Sequence, residues 1–303
     1  MQRREDRILE FWDRSKELSI KNNEYRHFVN EFFGILLEND IKDGDLTTGS
    51  LIKNNKSISA YIVAKEEGIL AGLEEFSLLN KDLKLKFFKR DRDRINKEDV
   101  LVEINGDAKK ILERERISLN LLQRMSGIAT FTNTLNKELN NKVKIAATRK
   151  TLWGSLDKKA VSLGGGLTHR LNLNDGILVK DNHLKLLDNN LKKAINSVKN
   201  KSKYIEIEVE NKRQALIAAE SINKLNNNNS LFAIMLDKIK PHEIKAIIKE
   251  LKNRHFYEHV LLEASGNINP DNLSEYEGCG VDVVSMGYLT NSVRILNMSL
   301  EIK

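Results

Sequence analysis

Six short apolar runs, each closed by a charged residue or a glycine-containing turn, constrain this chain more than any other feature. They are Lys144–Thr148 before Arg149, Gly176–Val179 before Lys180, and Tyr204–Ile207 before Glu208. Leu231–Leu236 before Asp237, His259–Glu263 before Ala264-Ser265-Gly266, and Val281–Met286 before Gly287 complete the series. Successive runs are separated by room for one helix and two loops, which is the rhythm of parallel strands joined by crossover helices. In a parallel barrel the C-terminal ends of the strands converge on one mouth. Here that mouth would carry two cations, then two carboxylates, then two glycine-containing turns, a pattern suited to an anionic, phosphorylated substrate.

The intervening helices are expected at Asp157–Leu163, Leu186–Val198, Lys212–Leu225, Pro241–Leu251 and Asn269–Tyr276. The only two prolines, Pro241 and Pro270, fall at helix starts, where a missing N–H costs nothing. The first 120 residues lack this rhythm. They offer a helical stripe over Glu24–Asn39, strands at Ser57–Ala64, Lys84–Phe88 and Val100–Ile104, and a cap-forming turn at Asp43–Thr48. A long helix follows from Ala108 to about Leu139, with Gly127 a candidate break or kink. The expected division is a small mixed domain over residues 1–120, joined by the tail 291–303, and a barrel domain over 121–290.

Composition narrows the function. The net charge of +7 fits an acidic small substrate or a generally basic surface. Aromatic residues make up 6% and the lysines are dispersed, which disfavours a nucleic-acid partner. No run of 18 apolar residues exists to cross a membrane, and the opening residues lack a signal peptide's apolar stretch, so the expectation is cytoplasmic. A single cysteine, Cys279, excludes an internal disulfide and a cysteine-based zinc site.

Thr148-Arg149-Lys150-Thr151 and Thr168-His169-Arg170, with Lys180 and Arg116, bring five formal cations and a histidine into play. Planar arginine forks suit carboxylates because two charge-assisted bonds form at once. Gly164–Gly166 either binds phosphate or forms a tight turn. Lys180 needs an anionic partner, either a ligand or its neighbour Asp181. Glu206, Glu208 and Glu210 alternate with apolar residues and so share one face of a strand. Glu208 and Asp237 are candidates for ribose hydroxyls, for Mg²⁺ through water, or for an ion pair with Lys180 or Lys150. Ser265-Gly266-Asn267 and Gly287 sit where barrels commonly hold a phosphate on backbone N–H groups. Trp153 suits lid packing or substrate stacking.

Taken together, DGDLTT (43–48), ERISLNLLQ (115–123), SGI (126–128), TRKT (148–151), GGGLTHR (164–170), KDNH (180–183), Ile207–Glu210, Leu236-Asp237, EASGNI (263–268) and SMGYLT (285–290) resemble the quinolinate phosphoribosyltransferase family, in family order. The resemblance implies an α/β fold: an incomplete, six-stranded TIM-like barrel with an N-terminal α/β sandwich. It implies transfer of a phosphoribosyl group from phosphoribosyl pyrophosphate to quinolinate with loss of CO₂, giving nicotinate mononucleotide for NAD biosynthesis. Mg²⁺ is the implied cofactor, held without a direct protein ligand, and a homodimer or hexamer of dimers the implied assembly. Arg149, Lys150, His169 and Arg170 would hold the quinolinate carboxylates, with Thr151 beside them and Arg116 donated from a neighbouring subunit. Lys180 would contact the substrate anions, Glu208 and Asp237 the ribose, and Ser265, Gly266, Asn267 and Gly287 the 5-phosphate. Lys150, Lys180, Glu208 and Asp237 would be the catalytic set. Two departures stand out: Leu152-Trp153-Gly154 replaces the family's Thr-Pro-Gly in a shorter stretch, and Asn267 replaces a glycine.

Overall fold

The computed structural model describes residues 3–54, 56–140, 142–225 and 229–302. The chain divides into two compact units, each discontinuous in sequence. One holds Met1–Arg14, Thr134–Thr151 and Gly166–Asn291; the other holds Ser15–Asn133, Leu152–Gly165 and Ser292–Lys303.

All six apolar runs form strands of one parallel sheet in the first unit. They span Lys144–Ala146, Ile177–Val179, Tyr204–Val209, Leu231–Asp237, Leu261–Ser265 and Val283–Ser285. The last strand pairs with the first, and each of the others with its successor, except that the first and second remain unpaired. The barrel is therefore incomplete, open at one seam. Leu167 lies along that seam, accepting the Ala147 N–H and donating to Ile145 O at 2.8 Å each. Prolines 241 and 270 open their helices as expected.

The opening helix Arg4–Trp12 departs from the expected division, because it belongs to the barrel unit rather than to the small domain. Its Ile8, Phe11 and Trp12 join a core with Ala146, Leu167, Ala233, Leu261 and Val283. Burying three such side chains stabilises the unit by roughly 1.5–3 kcal/mol each. Arg4 locks the helix in register by a bidentate pair with Asp282, at 2.6 and 2.7 Å.

In the second unit a four-stranded antiparallel sheet runs in the order Met298–Ile302, Ser57–Ala64, Val100–Asp107, Lys84–Phe87. The C-terminal tail thus pairs with the first strand, as expected. Helix Ala108–Glu138 is continuous over 31 residues, and the unit boundary at Asn133–Thr134 falls inside it rather than at residue 120. Gly127 is no kink. A Cβ there would lie 2.2 Å from Arg294 O, so glycine is required where the tail's backbone crosses the helix.

Candidate active site

A cavity of about 440 Å³ opens at the C-terminal ends of the barrel strands. Arg149 and Lys150 reach it from the turn after the first strand, and His169 and Arg170 from the loop behind the seam. Lys180, Glu208 and Asp237 line it from the next three strand ends, and Ser265, Gly266 and Asn267 from the fifth. Thr151, Gly287 and Arg116 are not among its lining residues. Gly287 nonetheless supports the wall, since a Cβ there would meet Lys150 Cδ at 2.9 Å. Arg116 is exposed on its helix in the other unit, with no ion pair or hydrogen bond among the described residues.

The turns that carry these groups are held by local bonds. Thr148 Oγ1 accepts the Lys150 N–H at 3.1 Å, and Thr290 Oγ1 donates to Lys150 O at 2.7 Å. Arg170 donates from Nη1 to Gly176 O at 2.8 Å, and its pKa is drawn down by burial and by the charge of Arg149. Asp175 braces the same loop, accepting from Arg14 Nε and from the Leu171 N–H, both at 2.8 Å. Gly266 and Asn267 have φ of 86° and 56°. A Cβ on Gly266 would fall 2.5 Å from Asp237 Oδ1 and 2.8 Å from Lys238 N, so only glycine fits.

The ion pairs bear on several open readings. Lys180 lies 3.8 Å from Glu208, while Asp181 pairs with Lys185 at 2.9 Å instead. Burial raises the Glu208 pKa against the opposing pull of Lys180. Lys238, absent from the sequence reading, stands 3.3 Å from Asp237. The glycine run 164–166 does not line the cavity; Gly164 packs where a Cβ would meet Ala129 O at 2.3 Å. Trp153 is also absent from the cavity wall. It packs against Phe32, with centroids 5.4 Å apart, and lies under the Arg124 guanidinium. Asp157 holds it there, accepting the Leu152 and Trp153 N–H groups while bound bidentately by Arg124 at 2.8 Å.

In the wall of the cavity, with Glu206 behind it, lies a group that sequence reasoning missed. His169 Nε2 stands 3.1 Å from Glu263 and 3.3 Å from Glu206, all three buried. The carboxylates favour an imidazolium, drawing the ring's pKa to about 9 against the opposite pull of burial. However, Nδ1 accepts the Arg170 backbone N–H at 2.8 Å, and a doubly protonated ring would set two N–H groups against each other. That bond favours the neutral Nε2–H tautomer against the pull of the two carboxylates. A proton is then held on Glu206, which burial and the charge of Glu263 push up to about 7. The three ligand atoms lie within 4.8 Å of one another, a spacing a cation could use, but a protonated Nε2 has no lone pair to offer. The period-two alternation at Glu206 and the strand-end position of Glu263 were the available signals.

Residues 45–126 match the description "Quinolinate phosphoribosyl transferase, N-terminal domain" and residues 128–301 its C-terminal domain. A probable nicotinate-nucleotide pyrophosphorylase (carboxylating) of Bacillus subtilis is 37% identical over 293 residues, covering 91% of this chain and 93% of that protein. Its counterpart in Methanothermobacter thermautotrophicus is 36% identical over 278 residues, covering 88% and 96%. The crystal structure of nicotinate-nucleotide pyrophosphorylase from Ehrlichia chaffeensis superposes with a TM-score of 0.78 at 33% identity, covering 90% of this chain and 98% of that one. The chain belongs to the quinolinate phosphoribosyltransferase family.

Proposed function

We propose that this chain joins quinolinate to phosphoribosyl pyrophosphate, releasing pyrophosphate and CO₂ and leaving nicotinate mononucleotide for NAD biosynthesis. The observation that carries the reading is one cavity lined by Arg149, Lys150 and Arg170 together with Glu208, Asp237 and the Ser265–Asn267 turn. The cations suit the two carboxylates of quinolinate. The carboxylates suit ribose hydroxyls, and the turn's N–H groups suit a phosphate.

The quinolinate nitrogen attacks the ribose carbon as pyrophosphate leaves, and Glu208 and Asp237 stabilise the positive charge developing on the sugar. Loss of CO₂ from the carbon beside that nitrogen leaves an electron pair there. The ring's now positive nitrogen and the fixed cations Lys150 and Lys180 stabilise it until a proton replaces the carboxylate. Much of the rate enhancement comes from holding two polyanions together that would otherwise repel. Glu208 and Asp237 present oxygens of the kind Mg²⁺ takes, and both face the cavity, which fits an ion held through water and the pyrophosphate. An ion held by these residues would supply neutralisation of the pyrophosphate leaving group.

Exposed and unpaired, Arg116 fits a role in the cavity of a second copy, within a homodimer or a hexamer of dimers. Mixing inactive Arg116→Ala and Arg149→Ala proteins is then expected to restore part of the turnover. No recovery despite demonstrated subunit exchange would place Arg116 outside the site. The direct assay is formation of nicotinate mononucleotide from quinolinate, phosphoribosyl pyrophosphate and Mg²⁺, with nicotinate as the parallel acceptor. Turnover of quinolinate alone is expected. Turnover of nicotinate alone would overturn the acceptor assignment.

A further inference from the structure

Glu206 and Glu263 are buried carboxylates that take no part in the chemistry above. Glu263 faces two ways. Its Oε1 accepts the Ser285 hydroxyl at 2.5 Å, and Ser285 Oγ lies 3.0 Å from Ser265 Oγ, at the head of the Gly266-Asn267 turn. Its Oε2 lies 3.1 Å from His169 Nε2. His169 is fixed in turn: its φ is 55°, its N–H donates to Trp12 O at 2.7 Å, and its Nδ1 accepts the Arg170 N–H. A displacement of Glu263 must therefore reach the Arg170 backbone at one end and Ser265 at the other. Glu206 meets His169 at 3.3 Å and feels the charge of Glu263, but among the described residues no hydrogen bond joins it to either serine, so it reaches the phosphate-binding half only through Glu263. Glu206 Oε1 and Glu263 Oε2 are buried without a well-aligned hydrogen bond, so the approach of Glu263 to His169 is held by packing and by the Ser285 bond at its other oxygen.

The geometry points to Glu263 as a positioning residue that ties the acid-binding half of the cavity to its phosphate-binding half, with Glu206 supporting the acid-binding half alone. This rests on the reading of the cavity as a site for quinolinate and phosphoribosyl pyrophosphate. The two halves must be occupied together for nitrogen to meet the ribose carbon, and a rigid polar chain beneath both fixes their separation. Glu263 lines the cavity wall and Glu206 does not, and the role assigned to both runs through His169, Arg170 and Ser265.

The test is the pattern of KM values in Glu263→Gln and Glu206→Gln. Glu263→Gln is expected to raise KM for both substrates about tenfold, the scale of one charge-assisted hydrogen bond. Glu206→Gln is expected to raise KM for quinolinate by a similar factor and leave that for phosphoribosyl pyrophosphate within about twofold. A Glu263→Gln protein with either KM unchanged, or with only kcat reduced, overturns the proposal. If Glu263→Gln fails to fold, Ser285→Ala carries the same test from the phosphate end. A rise in KM for quinolinate as well supports the link, and a rise confined to phosphoribosyl pyrophosphate overturns it. If wild-type protein turns over no quinolinate, the functional reading fails and the link is still decided, by calorimetric binding of quinolinate and of inorganic phosphate to wild type and Glu263→Gln. Both affinities falling supports the link, and one alone falling overturns it.

Discussion

Each unit of the molecule sets a pair of glutamates around one buried basic side chain, and the two solutions differ. In the sandwich unit, Lys159 meets Glu75 at 2.5 Å and also pairs with Glu74, while Glu75 accepts the Tyr25 hydroxyl at 2.9 Å. Burial lowers the Lys159 pKa, but the charges of Glu75 and Glu74 outweigh it and raise the pKa overall. That cluster's cation is permanent, although one charge faces two carboxylates and burial raises the Glu75 pKa. In the barrel unit the basic group is His169, whose second nitrogen is already spent on a backbone N–H. The carboxylates there are left with less positive charge than they need, and a proton on Glu206 makes up the difference. The same residue types thus give a structural clamp in one unit and a pH-sensitive support beneath a cavity in the other.

The largest expected effect breaks the clamp. Lys159→Met leaves a fully buried Glu75 beside Glu74 with no cation, a loss of about 3–5 kcal/mol. The melting temperature is expected to fall by about 10 °C, read by circular dichroism. A fall of less than about 2 °C would mean that the sandwich cluster, like the barrel cluster, rebalances by taking up a proton.

A smaller effect separates the clusters by pH. Glu206 moves from 4.5 to about 7 on folding, through burial first and the charge of Glu263 second. A carboxyl held above its unfolded value stabilises the fold fully below about pH 4.5, and that contribution is lost as pH rises through about 7. The groups facing it are Glu263 and His169, with Arg170 close enough to feel its charge. Wild-type melting temperature is therefore expected to carry a downward component between about pH 5 and pH 7.5 that Glu206→Gln lacks. The Lys159 cation does not titrate there, but burial also raises Glu75 and Asp91 beside it, so the difference between wild type and Glu206→Gln, not the wild-type profile alone, isolates the barrel component. Parallel profiles for wild type and Glu206→Gln would place the proton elsewhere.

The sequence made the barrel legible because strand endpoints and polar termini recur together. Every apolar run became a strand, and ten of the proposed site residues line one cavity. What escaped depends on the third dimension. Nothing local in Arg4–Trp12 says that its apolar face belongs under the barrel rather than beside the following helix. Gly127 and Gly164 look like breaks in a sequence, whereas each is required by backbone from another segment pressing against it. Glu206 and Glu263 are 57 positions apart by residue number, and only adjacency of non-consecutive strand ends with the seam loop brings them to one imidazole. Trp153 could be a lid or a stacking platform until Asp157 and Arg124 are seen to hold it.

The smallest expected effect asks whether the barrel cluster acts through charge or through the turn at the end of its serine arm. Gly266 and Asn267 are consecutive left-handed residues, but only the first is crowded, with Asp237 and Lys238 within 3 Å of a would-be Cβ. Asn267 is exposed, and its carbonyl accepts from Asn272 Nδ2 at 3.0 Å, a bond that survives any side-chain change. Asn tolerates this backbone better than other non-glycine residues, so Asn267→Gly relieves little strain and loosens the unfolded chain slightly. KM for phosphoribosyl pyrophosphate is expected to stay within about twofold, and the pH profile of melting should match wild type, since no charge has moved. A tenfold change in that KM would mean that the turn, and not the Glu263 link, sets the geometry of the phosphate half. The contrast between the two buried clusters would then be one of stability alone.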